Sequence, residues 1–509
     1  MGRRAWQTHS KNPGKFEKLM KLTWLNSQRR LISLIIYLTI FIRVLTLGLY
    51  AVADRTEARY AEIGRKMAET GDWITPQIDY GVPFWGKPPL STWLTAASFK
   101  VFSVNEFAAR LSSFLPILLA SYLVYLLAKN KGINYALVST MILITTLGFF
   151  VSSGAVMTDP ALVLGTTLSM VGFWQAYRGE SNAGCLWGYL FFVGLAIGLL
   201  AKGPIGVVLV FLPLVIWTIW QRNLPRVWKQ LPWIQGILLM VFIAVPWYLL
   251  AEAKTPGFLD YFIVGEHWKR FVEKGWEGDL YGSGHAHPYG MIWVYWLLAA
   301  FPWSLVTLGL LGKLVWRAKV KRVDLSLPTL DWEWLSYLLL WAMAPMIFFT
   351  PSANILWTYV LPGLPAFALL LTELLVTFWQ DQPINKYIVA PGLLIPLVFL
   401  FALPIVINVA NKNSQKYIVI QYQQSCGEGG EESDCQLFYV FNRPYSAEFY
   451  SGGKAQQVEM HEISPLLEDG RRNYFVIRMD DIKEFPPEIA SKLNQVYEYS
   501  AYTLFSEAN

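Results

Sequence analysis

Between Asp54 and Trp93 the chain sets acids, bases and aromatic rings close together, in a segment flanked by two strongly apolar stretches. Asp54, Glu57, Arg59 and Tyr60 open it, Gly71-Asp-Trp73 follows, and Trp85-Gly-Lys87-Pro-Pro89 comes near its end. Further along, Thr158-Asp159-Pro160, Ala201-Lys202-Gly-Pro204 and Glu266-His267-Trp-Lys-Arg270 each bring ionisable residues to the edge of an apolar run. Carboxylates and cations in this mixture suit the transfer of a sugar carried on a lipid phosphate. A carboxylate takes the proton from an attacking hydroxyl. Cations meet the negative charge that grows on the departing phosphate. Aromatic faces hold the sugar and keep water out.

The carboxylate candidates are Asp54, Glu57, Asp159 and Glu266; the cation candidates are Arg59, Lys87, Lys202 and Arg270. Each has a plainer structural reading. Asp54 serves as well for a helix N-cap, and Thr158-Asp159-Pro160 has the form of a helix start with proline at the first position. Lys202, at a membrane boundary, can simply snorkel. Lys87 is either a solvated loop lysine or, held on the stiff backbone before Pro88-Pro89, a cation aimed at a fixed point. Glu266 and Arg270 have the spacing of an i,i+4 helix pair. Glu266 and His267, with His285 and His287, offer a sparse donor set for a divalent metal, and their scatter makes that signal weak.

Membrane helices must position these groups. The chain has 509 residues, 54% of them hydrophobic and only 15% charged, against about a quarter charged in soluble domains. Apolar runs of about 18 residues or more recur over its first four-fifths, each long enough to cross a hydrocarbon core. They predict about 11–13 transmembrane helices, the first near 31–52 and the last near 388–409. The 23 Trp and 26 Tyr suit interfacial aromatic belts. The net charge of +6 comes mostly from short loops, which points to membrane orientation and away from nucleic acid.

No small-residue cleavage site follows the first apolar segment, which reads as a retained anchor. Residues 1–30 form a basic cytoplasmic N-terminus, so loops 53–108 and 252–288 face the other side. Arg43, near the middle of the first span, either snorkels or faces the bundle. From 410 to 509 the composition turns polar and reads as a small α/β domain outside the membrane. Strands are expected at Tyr417–Gln421, Leu437–Phe441 and Tyr474–Arg478, and helices at Pro444–Tyr450 and Pro486–Gln495. Cys426 and Cys435 fall in one loop of it and can pair in an oxidising compartment.

Taken in order, Arg59-Tyr60-Ala-Glu-Ile63, Gly71-Asp-Trp73, Lys87-Pro88, Met157-Thr-Asp-Pro160, Ala201-Lys-Gly-Pro204, Glu266-His267 with Arg270-Phe271, and Thr358-Tyr359-Val-Leu-Pro362 resemble the lipid A aminoarabinose transferases and protein O-mannosyltransferases of the GT-C superfamily. The resemblance covers most of residues 50–370 and extends to the C-terminal domain. It implies a polyprenyl-phosphate sugar donor, undecaprenyl phosphate in bacteria, and transfer at the periplasmic face of the inner membrane. It also implies that Arg59, Tyr60, Lys87, Lys202, Arg270 and Tyr359 surround the donor phosphate and sugar. Asp159 becomes a functional carboxylate, with His267 near the site. Two positions depart from the family pattern. Its Asp-Glu pair before x-Arg-Tyr-Ala is Thr56-Glu57 here, with Asp54 two positions earlier, and its acid before Lys-Pro is Gly86. The base is therefore expected at Asp54 first, then at Glu57 or Asp159. The acceptor stays open between lipid A, another envelope glycan and a protein. The alternative is a non-enzymatic carrier that flips lipid-linked sugars. It predicts ionisable groups at mid-membrane and in both halves, whereas here, Arg43 apart, they crowd one surface.

Overall fold

A computed structural model describes residues 13–179, 184–282, 285–320, 331–378, 385–427 and 435–508, with side chains from residue 29 onward apart from 317–320, 385–387 and 484. The basic segment 1–28 and residues 321–330 therefore lie outside the described side chains. Six described helices are long and apolar enough to cross a membrane: Glu106–Lys129, Gly184–Lys202, Trp233–Lys254, Trp332–Phe349, Trp357–Phe378 and Ile388–Lys412. Met291–Ala299 and Trp303–Trp316 make a seventh if the pair, bent by 103°, is one span. The helix Pro13–Thr46, the 20-residue helix Asp159–Arg178 and the shorter apolar helices Ile133–Ile144 and Pro204–Trp220 pack among them. The chain is a multi-pass membrane protein. Arg43 faces the bundle: its Nε donates to Ser153 Oγ at 3.2 Å, and its guanidinium lies 5.0 Å from the rings of Phe150 and Phe399.

Small residues set the closest helix pair. A Cβ on Gly165 would lie 2.7 Å from Gly198 N, and one on Gly194 would lie 2.4 Å from Ser169 Oγ. Only glycine lets the backbones of Asp159–Arg178 and Gly184–Lys202 approach so far. The two helices are antiparallel neighbours, so the first residue of one meets the last residue of the other. That contact brings Asp159 to Lys202. Gly64 plays the same part nearby: its Cβ would fall 2.5 Å from Thr95 Cγ2, which seats helix Thr56–Thr70 against helix Leu90–Phe102.

The loop 53–108 thus holds two helices and a small hairpin, β1 (Gln77–Asp79) with β2 (Val82–Pro83). The C-terminal domain is a five-stranded sheet. Its strands are β3 (Cys435–Val440), β4 (Ala455–Val458), β5 (Arg472–Arg478), β6 (Leu493–Tyr499) and β7 (Tyr502–Glu507), in the order β4-β3-β5-β7-β6. β3 runs parallel to β4 and β5, while β7 is antiparallel to both its neighbours. Two expectations fail here. Tyr417–Gln421 is part of helix Lys416–Gly427, because its buried residues, Ile418, Val419, Tyr422 and Cys426, recur at helical spacing. Pro486–Gln495 is only a short helix, Pro487–Ala490, after which Leu493 enters β6 and pairs with β7. Cys426 and Cys435 form a disulfide that ties that helix to the start of β3.

The domain docks on helix Thr56–Thr70 through buried ions. Lys66 Nζ lies 2.7 Å from Glu448 and 3.6 Å from Glu62, and Arg65 makes two hydrogen bonds of 2.7 Å to Glu62. Burial outweighs those Arg65 bonds and, with Glu448 nearby, pushes the Glu62 carboxyl up from 4.5 to about 7. The folded state therefore binds the proton more tightly than the unfolded chain. Stability falls as pH rises from about 4.5 to about 7. Thermal unfolding in detergent is expected to show this decline, and Glu62→Gln, which stays neutral throughout, is expected to flatten it.

Candidate active site

Lys202 ends its helix and Gly203 turns the chain sharply into Pro204, the first residue of the next helix. Lys202 Nζ donates to Asp159 Oδ1 at 2.7 Å and lies 5.1 Å from the centre of the Tyr359 ring. Gly203 has φ +75°, and a Cβ there would meet Phe262 at 2.7 Å and His267 Cε1 at 3.2 Å. Gly203→Ala is therefore expected to displace Lys202 and His267 together, at a cost of about 1–3 kcal/mol. The readout is thermal unfolding.

A second ionic group faces the first. Lys87 Nζ donates to Glu266 Oε2 at 2.8 Å, Arg270 lies 3.1 Å from the same oxygen, and Arg270 also reaches Asp279 at 3.3 Å. Tyr261 OH donates to Glu266 Oε1 at 3.2 Å. Burial opposes the Glu266 charge, but Lys87 and Arg270 outweigh it and hold the carboxyl at about 2. Glu266 sits in a ten-residue π-helix, Asp260–Lys269, a rare geometry often found at functional sites. Both ring nitrogens of His267 face backbone carbonyls, Phe262 O at 2.8 Å and Lys202 O at 3.0 Å. Burial lowers its pKa, against those two carbonyls, which favour the doubly protonated ring.

Between the two groups lies a cavity of about 440 Å³. Lys87, Lys202, Glu266, His267, Arg270 and Tyr359 contribute its polar and aromatic lining, and Pro204, Ile205, Val208, Leu209, Ile263 and Phe348 its apolar wall. A larger groove, about 700 Å³, lies where helix Leu90–Phe102 meets the C-terminal domain, and no predicted site residue lines it.

The remaining candidates sit elsewhere. Arg59 donates to Tyr281 O, its guanidinium lies 5.2 Å from the Tyr60 ring, and its buried Nε has no polar partner. The Tyr60 ring packs edge-on to Phe84 at 6.0 Å, and Phe84 packs on Tyr281 at 4.5 Å. Asp54 does not cap its own helix. Its Oδ1 accepts from Ser446 N at 3.0 Å, so it caps helix Tyr445–Tyr450 of the C-terminal domain, and its other oxygen accepts from Ser446 Oγ. Burial raises its pKa against those hydrogen bonds. Glu57 accepts from Arg110 Nε and Nη2 at 2.8 and 2.9 Å and from the backbone of Ala53 and Val156. Neither carboxylate lines the cavity, nor does Asp159, which adjoins it through its bond from Lys202. Among the described residues no three His, Cys, Asp or Glu side chains gather as a metal site. Glu266, His267, His285 and His287 thus fail as a ligand set: Glu266 is spent on two cations, and His287 pairs with Tyr295 OH at 3.1 Å.

Three contributors were not singled out from the sequence. Asp279 carries a lone acidic signal in a polar loop. Tyr261 precedes Glu266 by five residues, a spacing that aligns them only on a π-helix. Asn354 donates to Arg270 O and Glu273 O, both at 2.7 Å, and accepts from Gly275 N at 3.2 Å, pinning the loop that follows Arg270.

Residues 26–262 match the family described as dolichyl-phosphate-mannose-protein mannosyltransferase. The chain is 28% identical over 338 residues to an undecaprenyl phosphate-alpha-4-amino-4-deoxy-L-arabinose arabinosyl transferase of Pseudomonas fluorescens, covering 65% of this chain and 55% of that protein. The corresponding transferase of Erwinia tasmaniensis is 30% identical over 334 residues, 65% of this chain and 56% of its own length. The chain thus spans just over half the length of these curated relatives. The structure of ArnT from Cupriavidus metallidurans bound to undecaprenyl phosphate superposes with a TM-score of 0.77 over 94% of this chain and 98% of that one, at 18% identity. The chain has the fold of that structure. In this fold the motifs of the sequence fall into two places: Lys87, Lys202, Glu266, His267, Arg270 and Tyr359 meet at the cavity, while Asp54 and Glu57 brace the frame.

Proposed function

We propose that the chain is a glycosyltransferase of the bacterial inner membrane, with its N-terminus cytoplasmic and its C-terminal domain periplasmic. It moves a sugar from a polyprenyl phosphate to an acceptor hydroxyl of lipid A, another envelope glycan or a protein. The observation that carries this is the cavity, with cations on one side and an apolar wall on the other. Lys87, Lys202 and Arg270 pair with Asp159, Glu266 and Asp279, and Arg59, outside the lining, bonds to Tyr281 O and adds a fourth cation. That leaves one positive charge unmatched, the complement of a phosphodiester-linked sugar with a prenyl tail on the apolar side.

Asp159 is the base we favour, in place of Asp54. Glu266, held at about 2, is too weak a base at neutral pH, and Asp54 and Glu57 are committed to Ser446 and Arg110. When the donor phosphate draws Lys202 to itself, Asp159 is released to accept the hydroxyl proton. The hydroxyl oxygen bonds to the anomeric carbon, the bond from that carbon to the phosphate oxygen breaks, and polyprenyl phosphate leaves against Lys87, Lys202 and Arg270. Direct attack inverts the anomeric centre. The names of the relatives, which specify undecaprenyl phosphate and aminoarabinose, support a donor of this class. Mass spectrometry of envelope lipids and glycans from cells with and without the protein is expected to show one sugar-bearing species that depends on it. Identical profiles would remove the proposal.

A further inference from the structure

We infer that Lys66 and Glu448 are positioning residues, through which the C-terminal domain fixes the rotation of helix Thr56–Thr70 and so aims Arg59 at the donor cavity. The inference rests on the function proposed above. Arg59 and Lys66 are seven residues apart, two helical turns, so they share one face about 10 Å apart along the axis. A rotation at Lys66 is therefore a rotation at Arg59. From Arg59 a chain of contacts leads inward: Arg59 bonds to Tyr281 O, Asp279 two residues earlier pairs with Arg270 at 3.3 Å, and Arg270 pairs with Glu266 beside Lys87.

At the other end the clamp is ionic and dry. The side chains of Lys66 and Glu448 are 0% and 1% exposed, at 2.7 Å from each other. Lys66 also donates to Ile78 O at 2.8 Å in the β1–β2 hairpin. Arg443 of the domain bridges Asp79 of that hairpin at 2.7 Å and Glu448 at 3.4 Å. Glu448 makes no side-chain hydrogen bond beyond these ion pairs. A buried ion pair is a poor source of stability compared with an apolar pair of the same size, and its best-attested use is to fix register. An apolar contact between a helix and a domain tolerates small rotations. An ammonium that donates to Ile78 O and sits 2.7 Å from the Glu448 carboxylate does not.

The test separates register from stability. Spin labels at Thr70→Cys and Val272→Cys, in a Cys185→Ser background, report the distance from the helix to the far side of the cavity. The wild-type protein is expected to give one narrow distance. Glu448→Gln, and the double variant Lys66→Met with Glu448→Leu, are expected to broaden or shift it. The double variant removes both charges together, though Ile78 O and Arg443 each lose a partner, so it should melt above Glu448→Gln, yet its dissociation constant for undecaprenyl phosphate should rise roughly tenfold to a hundredfold over wild type. If Glu448→Gln does not fold, the double variant decides. An unchanged distance distribution and unchanged affinity in a folded double variant would overturn the inference. Broadened distances in a protein whose wild type binds no undecaprenyl phosphate would sink the donor reading and leave the positioning role standing.

Discussion

Asp159→Asn is expected to lower sugar transfer from a polyprenyl phosphate by at least ~10²-fold, with the protein folded and its donor affinity kept within severalfold. The substitution is isosteric, retains an acceptor oxygen for Lys202 Nζ, and removes the group that takes the hydroxyl proton. Lys202→Met should lose as much for a different reason, since the departing phosphate then lacks a cation. It should also raise the donor dissociation constant, which separates the two roles. Asp54→Asn serves as the contrast. Its carboxylate caps Ser446 at 3.0 Å, so the expected effect is about 1 kcal/mol of stability, with transfer largely retained. A reconstituted assay in proteoliposomes reads all three. Near-normal turnover in Asp159→Asn would remove that residue from the reaction, and collapse of turnover in a well-folded Asp54→Asn would restore the first expectation from the sequence.

The largest loss of stability is expected from Arg110→Met, about 3–5 kcal/mol. Arg110 is fully buried near the start of helix Glu106–Lys129, where it pairs bidentately with Glu57. It also donates to the carbonyls of Leu47 and Tyr50 at 2.7 Å and Ala51 at 2.9 Å, and its guanidinium stacks 3.9 Å from the Tyr50 ring. Removing it strands the Glu57 charge and three backbone acceptors where the first helix leads into loop 53–108. The yield of monodisperse protein and its unfolding temperature in detergent should both fall sharply. The double variant Arg110→Met with Glu57→Leu should recover much of the loss, because no buried charge is then left alone. Failure to recover would locate the effect in the carbonyl contacts.

The multi-pass architecture was legible because composition alone decides whether a helix is stable in lipid: apolar runs long enough to span need no partner to be recognised. The ordered motifs, from Arg59-Tyr60 to Thr358-Tyr359, likewise carried the family resemblance and the charged part of the cavity lining. Secondary structure in the C-terminal domain was less legible. Tyr417–Gln421 is rich in β-branched and aromatic residues, yet it is helical because Ile418, Val419, Tyr422 and Cys426 find one buried face against the sheet. Local preference yielded to packing.

What the sequence determined by itself was which residue types could do the chemistry and which segments carry them. It ranked Asp54 ahead of Glu57 and Asp159, but all three stand at ends of apolar segments and differ in partners that the sequence does not show. Tertiary structure supplies those partners. The glycine-lined contact between two antiparallel helices carries Asp159 to Lys202 at the cavity, while the docking of the C-terminal domain claims Asp54 and Arg110 claims Glu57. A carboxylate's role depends on the charge and proton donors within a few ångströms of it, and those neighbours come from segments tens to hundreds of residues away.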